Sequence, residues 1–266
     1  MSRSGFILAA LAAFLWSVPS SAEAPAAEEI ARKSHLAFFY AGEDLKVKIH
    51  MRLVTRDGKE RLRDLTMLRK DVQEGGEQKY FICFHQPADV RDMTFMVWKY
   101  PGKDDDRWLY MPALKLVRRI AADDKRSSFA GSDFTYEDVS GRGLEEDVYA
   151  LVREENLGGK VCDVVKSTPR AEKGADYNYK LSWIDRTTLL PLKEEYYDRQ
   201  GNLARVFTAD EVKEVQGFPT IVRRTMTNLQ TGHKTEVVFE EVRYDLGLAA
   251  DLFTERYLRS APPEAK

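Results

Sequence analysis

Two cysteines, Cys83 and Cys162, are too few for a thiolate metal cluster, and the four histidines, His35, His50, His85 and His233, are scattered without the spacing of a ligand pair. An excess of one charge is also missing. Lysine and arginine number 41 against 43 aspartates and glutamates, mixed along the chain, which argues against a nucleic-acid groove and against an acidic disordered protein. Downstream of the N-terminus no apolar run is long or pure enough to be a membrane helix. The chain lacks a Gly-x-Ser-x-Gly elbow, a His-Glu-x-x-His motif and a glycine-rich phosphate loop, so the common hydrolase, zinc-protease and nucleotide signatures are absent. Asp133, Glu137, Asp138 and the Tyr136 hydroxyl are acid–base groups at helical spacing, but any solvated short helix can present such a set. No catalytic residue, cofactor or metal is therefore assigned. Asp104, Asp105 and Asp106 are consecutive, unlike the spaced ligands of an EF-hand, and read as a solvated loop.

What is present begins with an export signal. Arg3 precedes an apolar run from Phe6 to Val18, and Ser20-Ser21-Ala22 supplies small residues for cleavage. Residues 1–22 are read as a signal peptide and 23–266 as a single domain of about 240 residues, enough for one large β domain. Export leaves Cys83 and Cys162 two main fates. A bridge would close a loop of about 80 residues and contribute on the order of 4 kcal/mol, while two buried free thiols are the alternative.

The rest of the chain reads mostly as strands. Ala24 to Glu28 is a linker, and Glu28 to Gly42 has the apolar spacing of a helix that covers the open side of a sheet. The period then changes: Leu45, Val47, Ile49, Met51 and Leu53 alternate with Lys46, Lys48, His50 and Arg52, an amphipathic strand with one inner face. About eleven strands follow in sequence, separated by turns such as Arg56-Asp57-Gly58-Lys59, Gly158-Gly159 and Thr231-Gly232, which describes an antiparallel meander and not repeated βαβ units. Ser132 or Asp133 would cap a short helix through Asp138, and Leu252, Phe253 and Tyr257 belong to a terminal segment sealing one end of the sheet.

The centre of this arrangement is Met93 to Asp138. Met93 to Trp98 is apolar at almost every residue, whereas a strand with one face in water should alternate, so both faces of this strand are expected to be covered. Trp108, Tyr110 and Pro112 share one face of the next strand, with Leu109 and Met111 on the other. A curved sheet with an apolar inner face needs either a packed helix or a ligand inside it.

The segments DRWLYMPALKLVRRI, SSFAGSDFTYEDVSGR, YYDRQGNL, TMTNLQTGHKTEV and LFTERYL, together with the leader, resemble the outer membrane lipoprotein-sorting protein family of the LolA-like superfamily, in a subfamily associated with RND-type exporters. The motif fits at Trp108, Tyr110, Pro112, Arg118, Arg119, Ser127, Phe129, Gly131, Ser132, Asp133, Phe134, Tyr136, Glu137 and Asp138. The resemblance implies a mainly β fold, an unclosed antiparallel half-barrel with a helical lid over an apolar cavity for acyl chains, working in the periplasm.

On that reading the protein is a lipid or lipoprotein carrier, with an inner-membrane RND-type transporter as its expected partner. The alternative is a noncatalytic module that docks or senses another envelope protein. Met93, Phe95, Trp98, Trp108, Tyr110, Phe129 and Trp183 are the expected cavity wall. Arg118 and Arg119, with Phe134 and Tyr136, are placed at the mouth, where one arginine would meet an anionic head group; adjacent strand residues face opposite ways, so only one can do so.

Overall fold

The computed structural model describes residues 23–170 and 174–266; the expected leader, residues 1–22, lies outside them. Thirteen antiparallel strands form one sheet in the order β6-β5-β4-β3-β2-β1-β13-β12-β11-β10-β9-β8-β7. The first meander comprises β1 (Asp44–Val54), β2 (Glu60–Asp71), β3 (Gln78–Gln86), β4 (Thr94–Lys99), β5 (Asp106–Met111) and β6 (Leu116–Ile120). The second comprises β7 (Asp147–Leu157), β8 (Lys160–Pro169), β9 (Tyr179–Asp185), β10 (Pro191–Tyr197), β11 (Leu203–Val215), β12 (Phe218–Asn228) and β13 (His233–Tyr244). The two are joined side by side through β1 and β13, with Ile49 opposite Phe239 and Met51 opposite Val237.

This order leaves β6 and β7 as unpaired edges, so the sheet curls into a half-barrel without closing. It also dictates the lid. The chain must pass from one edge to the other, and it does so through residues 121–146, a crossing that contains a bridge between Ser128 and Thr135 and the helix α2 (Tyr136–Ser140). Thr135, not Ser132 or Asp133, caps α2: its hydroxyl accepts from the Asp138 amide at 3.0 Å while the Asp138 carboxylate accepts from the Thr135 amide at 2.8 Å. The second covering element, α1 (Glu23–Phe39), precedes the central strand β1 and packs against β7 and β8. The helix starts earlier than the expected Glu28, and the supposed linker is its first turn; Pro25 is tolerated there because the amide it lacks would have no intrahelical acceptor. It ends before Gly42, whose φ is +67° and where a Cβ would lie 2.9 Å from Asp245 Oδ1 and 3.1 Å from Tyr244 Cβ, so a side chain is strained there.

The alternation in β1 sorts as expected. Leu45, Val47, Ile49, Met51 and Leu53 are buried on the concave side, while Lys48, His50 and Arg52 make a surface ladder with Glu241, Asp64, Glu240, Glu60 and Glu236. β11 runs unbroken from Leu203 to Val215, because irregular pairing around Glu211 absorbs the break in alternation without ending the ladder.

The apolar run in β4 is covered on both faces. Phe95 and Val97 face the concave core with Phe129 and Tyr136. Met96 and Trp98 face outward into a second core made with Phe81, Cys83, Trp108, Tyr110 and the C-terminal segment, where Leu252, Phe253 and Leu258 are buried. That segment lies across the back of the sheet and does not seal an end of it. Two hydrogen bonds fix it there, Trp98 Nε1 donating to the Phe253 carbonyl at 2.8 Å and Thr94 Oγ1 to the Leu258 carbonyl at 2.6 Å.

Cys83 on β3 and Cys162 on β8 are buried free thiols. Their strands are eight positions apart in the sheet order, far beyond the ~7 Å Cα limit of a disulfide, so the bridge alternative fails. The aspartate run is also not simply wet. Asp105 is buried and accepts from Arg107 at 2.5 Å, and Asp106 pairs with Arg119.

Candidate functional site

Between the concave face, α1 and the crossing segment lies a cavity of about 240 Å³. Its wall on the first meander is aliphatic, from Ile49, Met51, Leu65, Met67 and Ile82, and Phe38 and Phe39 of α1 face it from above. On the second meander the wall includes Ser167, Lys180, Ser182 and Glu194. Apolar side chains line the cavity on both meanders, and Ser167, Lys180, Ser182 and Glu194 add a polar stripe on β8 to β10.

Most of the charges at its rim are consumed internally. Arg69 on β2 reaches the end of α1, donating to the carbonyls of Phe39, Ala41 and Gly42 at 2.6 Å each, the groups a helix C-terminus leaves without partners. Its Nε lies 3.3 Å from Asp71, whose carboxyl is nevertheless pushed up to about 6 because the cost of burial exceeds the attraction of Arg69. Lys180 meets Glu194 at 2.7 Å, and the same carboxylate accepts from Ser182 at 2.8 Å and Tyr196 at 2.6 Å. Under the crossing segment Glu137 binds Lys125 at 2.8 Å and Arg142 at 3.3 Å, and Arg142 also meets Glu146 at 2.8 Å and Asp147 at 2.9 Å. Arg205 pairs with Asp138 and Asp176, both at 3.0 Å. These networks tie the lid to the sheet.

Two groups facing the cavity differ. His35 of α1 is held neutral, its pKa pushed down to about 3 by burial and by the neighbouring Lys99 and Lys180 charges. Arg224 of β12 lies with its guanidinium 4.1 Å from the centre of the Phe239 ring and 5.6 Å from that of Phe38. Among the described residues no carboxylate pairs with it.

The expected wall residues divide by strand parity. Phe129 and Phe134 border the cavity. Phe95, Phe129 and Tyr136 form an aromatic cluster with centroids 5.0 to 5.7 Å apart, with Met93 half-buried against that core; this fills one end of the half-barrel. Trp98, Trp108 and Tyr110 are corrected: they lie on the convex face, with Trp98 and Trp108 packed edge to face at 5.0 Å beneath the C-terminal segment. Trp183 also turns outward, packing with Cys162, Val164 and Leu192, while its neighbours Ser182 and Ile184 face the cavity. Arg118 and Arg119 are corrected as well, since both are exposed on the edge strand β6 and are paired with Asp124 and Asp106, away from the cavity lining.

Arg69, Lys180 and Arg224 were not singled out from the sequence. For Arg224 a signal was available: of the adjacent Arg223 and Arg224 on one strand, one has to point inward. Arg223 is the exposed member and Arg224 the inward one.

The fold and its roofed, half-apolar cavity define the class, a LolA-like half-barrel. Over residues 76–260 the chain matches a family model described as an uncharacterized protein. None of the curated proteins matches. The chain is similar to an outer membrane lipoprotein-sorting protein domain from Vibrio parahaemolyticus, with 30% identity, a TM-score of 0.82, and 89% of this chain and 99% of that one covered. A DUF1329 family protein from Desulfovibrio piger gives 29% identity, the same TM-score of 0.82 and the same coverage, 89% and 99%. A LolA superfamily protein from Nitrosomonas europaea, at 19% identity and a TM-score of 0.67 over 87% of this chain and 98% of that one, shares the fold. The chain belongs to the family of outer membrane lipoprotein-sorting protein domains.

Proposed function

We propose that the protein is a periplasmic carrier that holds an acyl chain of a lipid or lipoprotein in the concave cavity. One observation carries this reading: an aliphatic wall on β1 to β3 faces open space under α1, where a structural core would be filled. Each methylene moved from water onto such a wall is worth about 0.8 kcal/mol, so a few of them drive uptake. A cavity of about 240 Å³ exceeds the ~150 Å³ that admits benzene and falls below the ~300–1,000 Å³ of typical ligand pockets, which suits a stretch of one chain. Accommodating more would require α1 and the crossing segment to lift. Similarity to the lipoprotein-sorting domain from Vibrio supports a transport role. Removal of residues 1–22 and work by 23–266 as one domain in the periplasm complete the proposal.

The docking alternative has its own support in the edge strand. Leu114 is 67% and Leu116 48% exposed beside the free ladder edge of β6, a surface on which a transporter of the RND type or another envelope protein could add a strand. The deciding experiment is native extraction of the protein from periplasm, followed by mass spectrometry and by titration of the delipidated protein with palmitate and lysophospholipid. A co-purifying acyl compound that rebinds supports the carrier. An empty protein that binds neither probe overturns it in favour of docking.

A further inference from the structure

We infer that Arg224 is an inward-facing, half-buried anchor for the anionic end of a single-chain amphiphile, so that the cavity takes a free acid or phosphate head-first in preference to an ester-linked acyl chain. The inference rests on the carrier reading and specifies its ligand.

The cavity's cations differ in their partners. Arg69, Arg142 and Lys180 each have a carboxylate within 3.3 Å, and Arg69 additionally satisfies three carbonyls. Arg224 has no ion pair and no side-chain hydrogen bond among the described residues, and what surrounds it is aromatic: Phe38 from the lid and Phe239 from the sheet. Among the described residues the one titratable group that favours its charge is the Tyr244 phenol, which is shared with Thr220 Oγ1 at 2.9 Å. Burial therefore lowers the Arg224 pKa to about 10, a value at which it remains charged at neutral pH.

A desolvated guanidinium stacked on rings keeps its edge N–H groups free, and those donors match a carboxylate or phosphate in a bidentate geometry. Position fixes the orientation. β12 is flanked by β13 and β11 near the middle of the sheet order, and Arg224 sits opposite Val237 and Ala209, so its donors lie inside the half-barrel and not at an edge. A chain whose own end is ionised can reach them. An acyl chain esterified to a larger head group ends in a methyl and leaves the arginine unpaired, which costs more than binding gains from those donors. Phe38 belongs to α1, so an anion drawn to Arg224 also meets the lid.

The test uses the full mature chain and four probes of equal length, palmitate, hexadecyl phosphate, hexadecanol and methyl palmitate, each competing with Nile red. The wild-type protein is expected to bind palmitate or hexadecyl phosphate about 10- to 100-fold more tightly than hexadecanol, the range that charge-assisted hydrogen bonds supply. Whichever anion is tighter identifies the head-group chemistry. Arg224→Met should erase the preference while leaving hexadecanol affinity within about twofold, and Arg224→Lys should retain part of it. Equal wild-type affinity for the anionic and neutral chains overturns the anchor while leaving the carrier intact, and this comparison needs no variant to fold. Retention of the full preference by folded Arg224→Met also overturns it. Failure of all four probes to bind overturns the carrier reading, and the anchor with it.

Discussion

The two meanders use the same strands for different ends. In β1 to β6 the sheet is the middle of a three-layer sandwich: aliphatic and aromatic side chains face Phe129 and Tyr136 on one side, and the C-terminal segment covers Met96, Trp98 and Trp108 on the other. In β7 to β10 the inward positions mix Val165, Ile184 and Tyr196 with Ser167, Lys180, Ser182 and Glu194, and the tryptophan of β9 turns outward. One half stores stability in packing. The other sets paired charge among its inward apolar side chains where the cavity opens beneath α1. A binding site that was uniformly apolar would collapse on itself or hold any oil, whereas a half-polar one holds an amphiphile in one direction.

The strongest way to separate the halves is to remove a side chain that serves packing alone. Phe253→Ala, at a fully buried position on the back of the sheet, should destabilise the protein by about 3–5 kcal/mol in urea unfolding while folded protein keeps its lipid affinity. Loss of affinity at unchanged stability would place the back layer in the site. Glu194→Ala tests the polar half: Lys180, Ser182 and Tyr196 lose a common acceptor, and a cost of about 2–3 kcal/mol is expected, read from the same melts.

Acid should weaken the lid over the polar half. His35 has its folded pKa depressed to about 3 against about 6.5 unfolded, so the unfolded chain binds the extra proton between those values. The stability it contributes is complete above about pH 6.5 and is lost as pH falls towards 3, amounting to about 2 kcal/mol between pH 7 and 5. The check is the pH slope of unfolding free energy in wild type against His35→Phe; an identical slope in both would rule out this source. The smallest effect belongs to the edge. Arg118→Gln and Arg119→Gln should each cost less than about 1 kcal/mol and leave binding of palmitate unchanged, because both are exposed surface pairs. A large affinity loss in either would return the mouth to β6.

Much of the fold was legible along the chain. The alternation in β1, the turns between strands and the doubly apolar β4 were sufficient for an antiparallel meander covered on both sides, and the resemblance supplied the half-barrel. The site was less legible. Met93, Phe95 and Trp98 were grouped as one wall because all are apolar, although Phe95 and Trp98 have opposite parity and lie on opposite faces. The rule that splits adjacent arginines was applied to Arg118 and Arg119, on an edge strand where both reach water, and not to Arg223 and Arg224 near the centre, where it picks out the inward cation.

The sequence by itself determined the strands and the parity within each of them, because side chains alternate along an extended backbone whatever it packs against. Which parity faces the cavity was decided only in three dimensions. Trp98 faces outward because residues 250–258 return from the far end of the chain to cover it, Phe95 faces inward because the passage between the two free edges runs across the concave side, and Arg224 is left without an acid because its neighbours arrive from α1 and β13. Apart from the Arg224–Phe239 contact within the β12–β13 hairpin, these contacts join positions far apart in the chain, and no local pattern of apolar and polar residues encodes which distant segment will supply the covering layer.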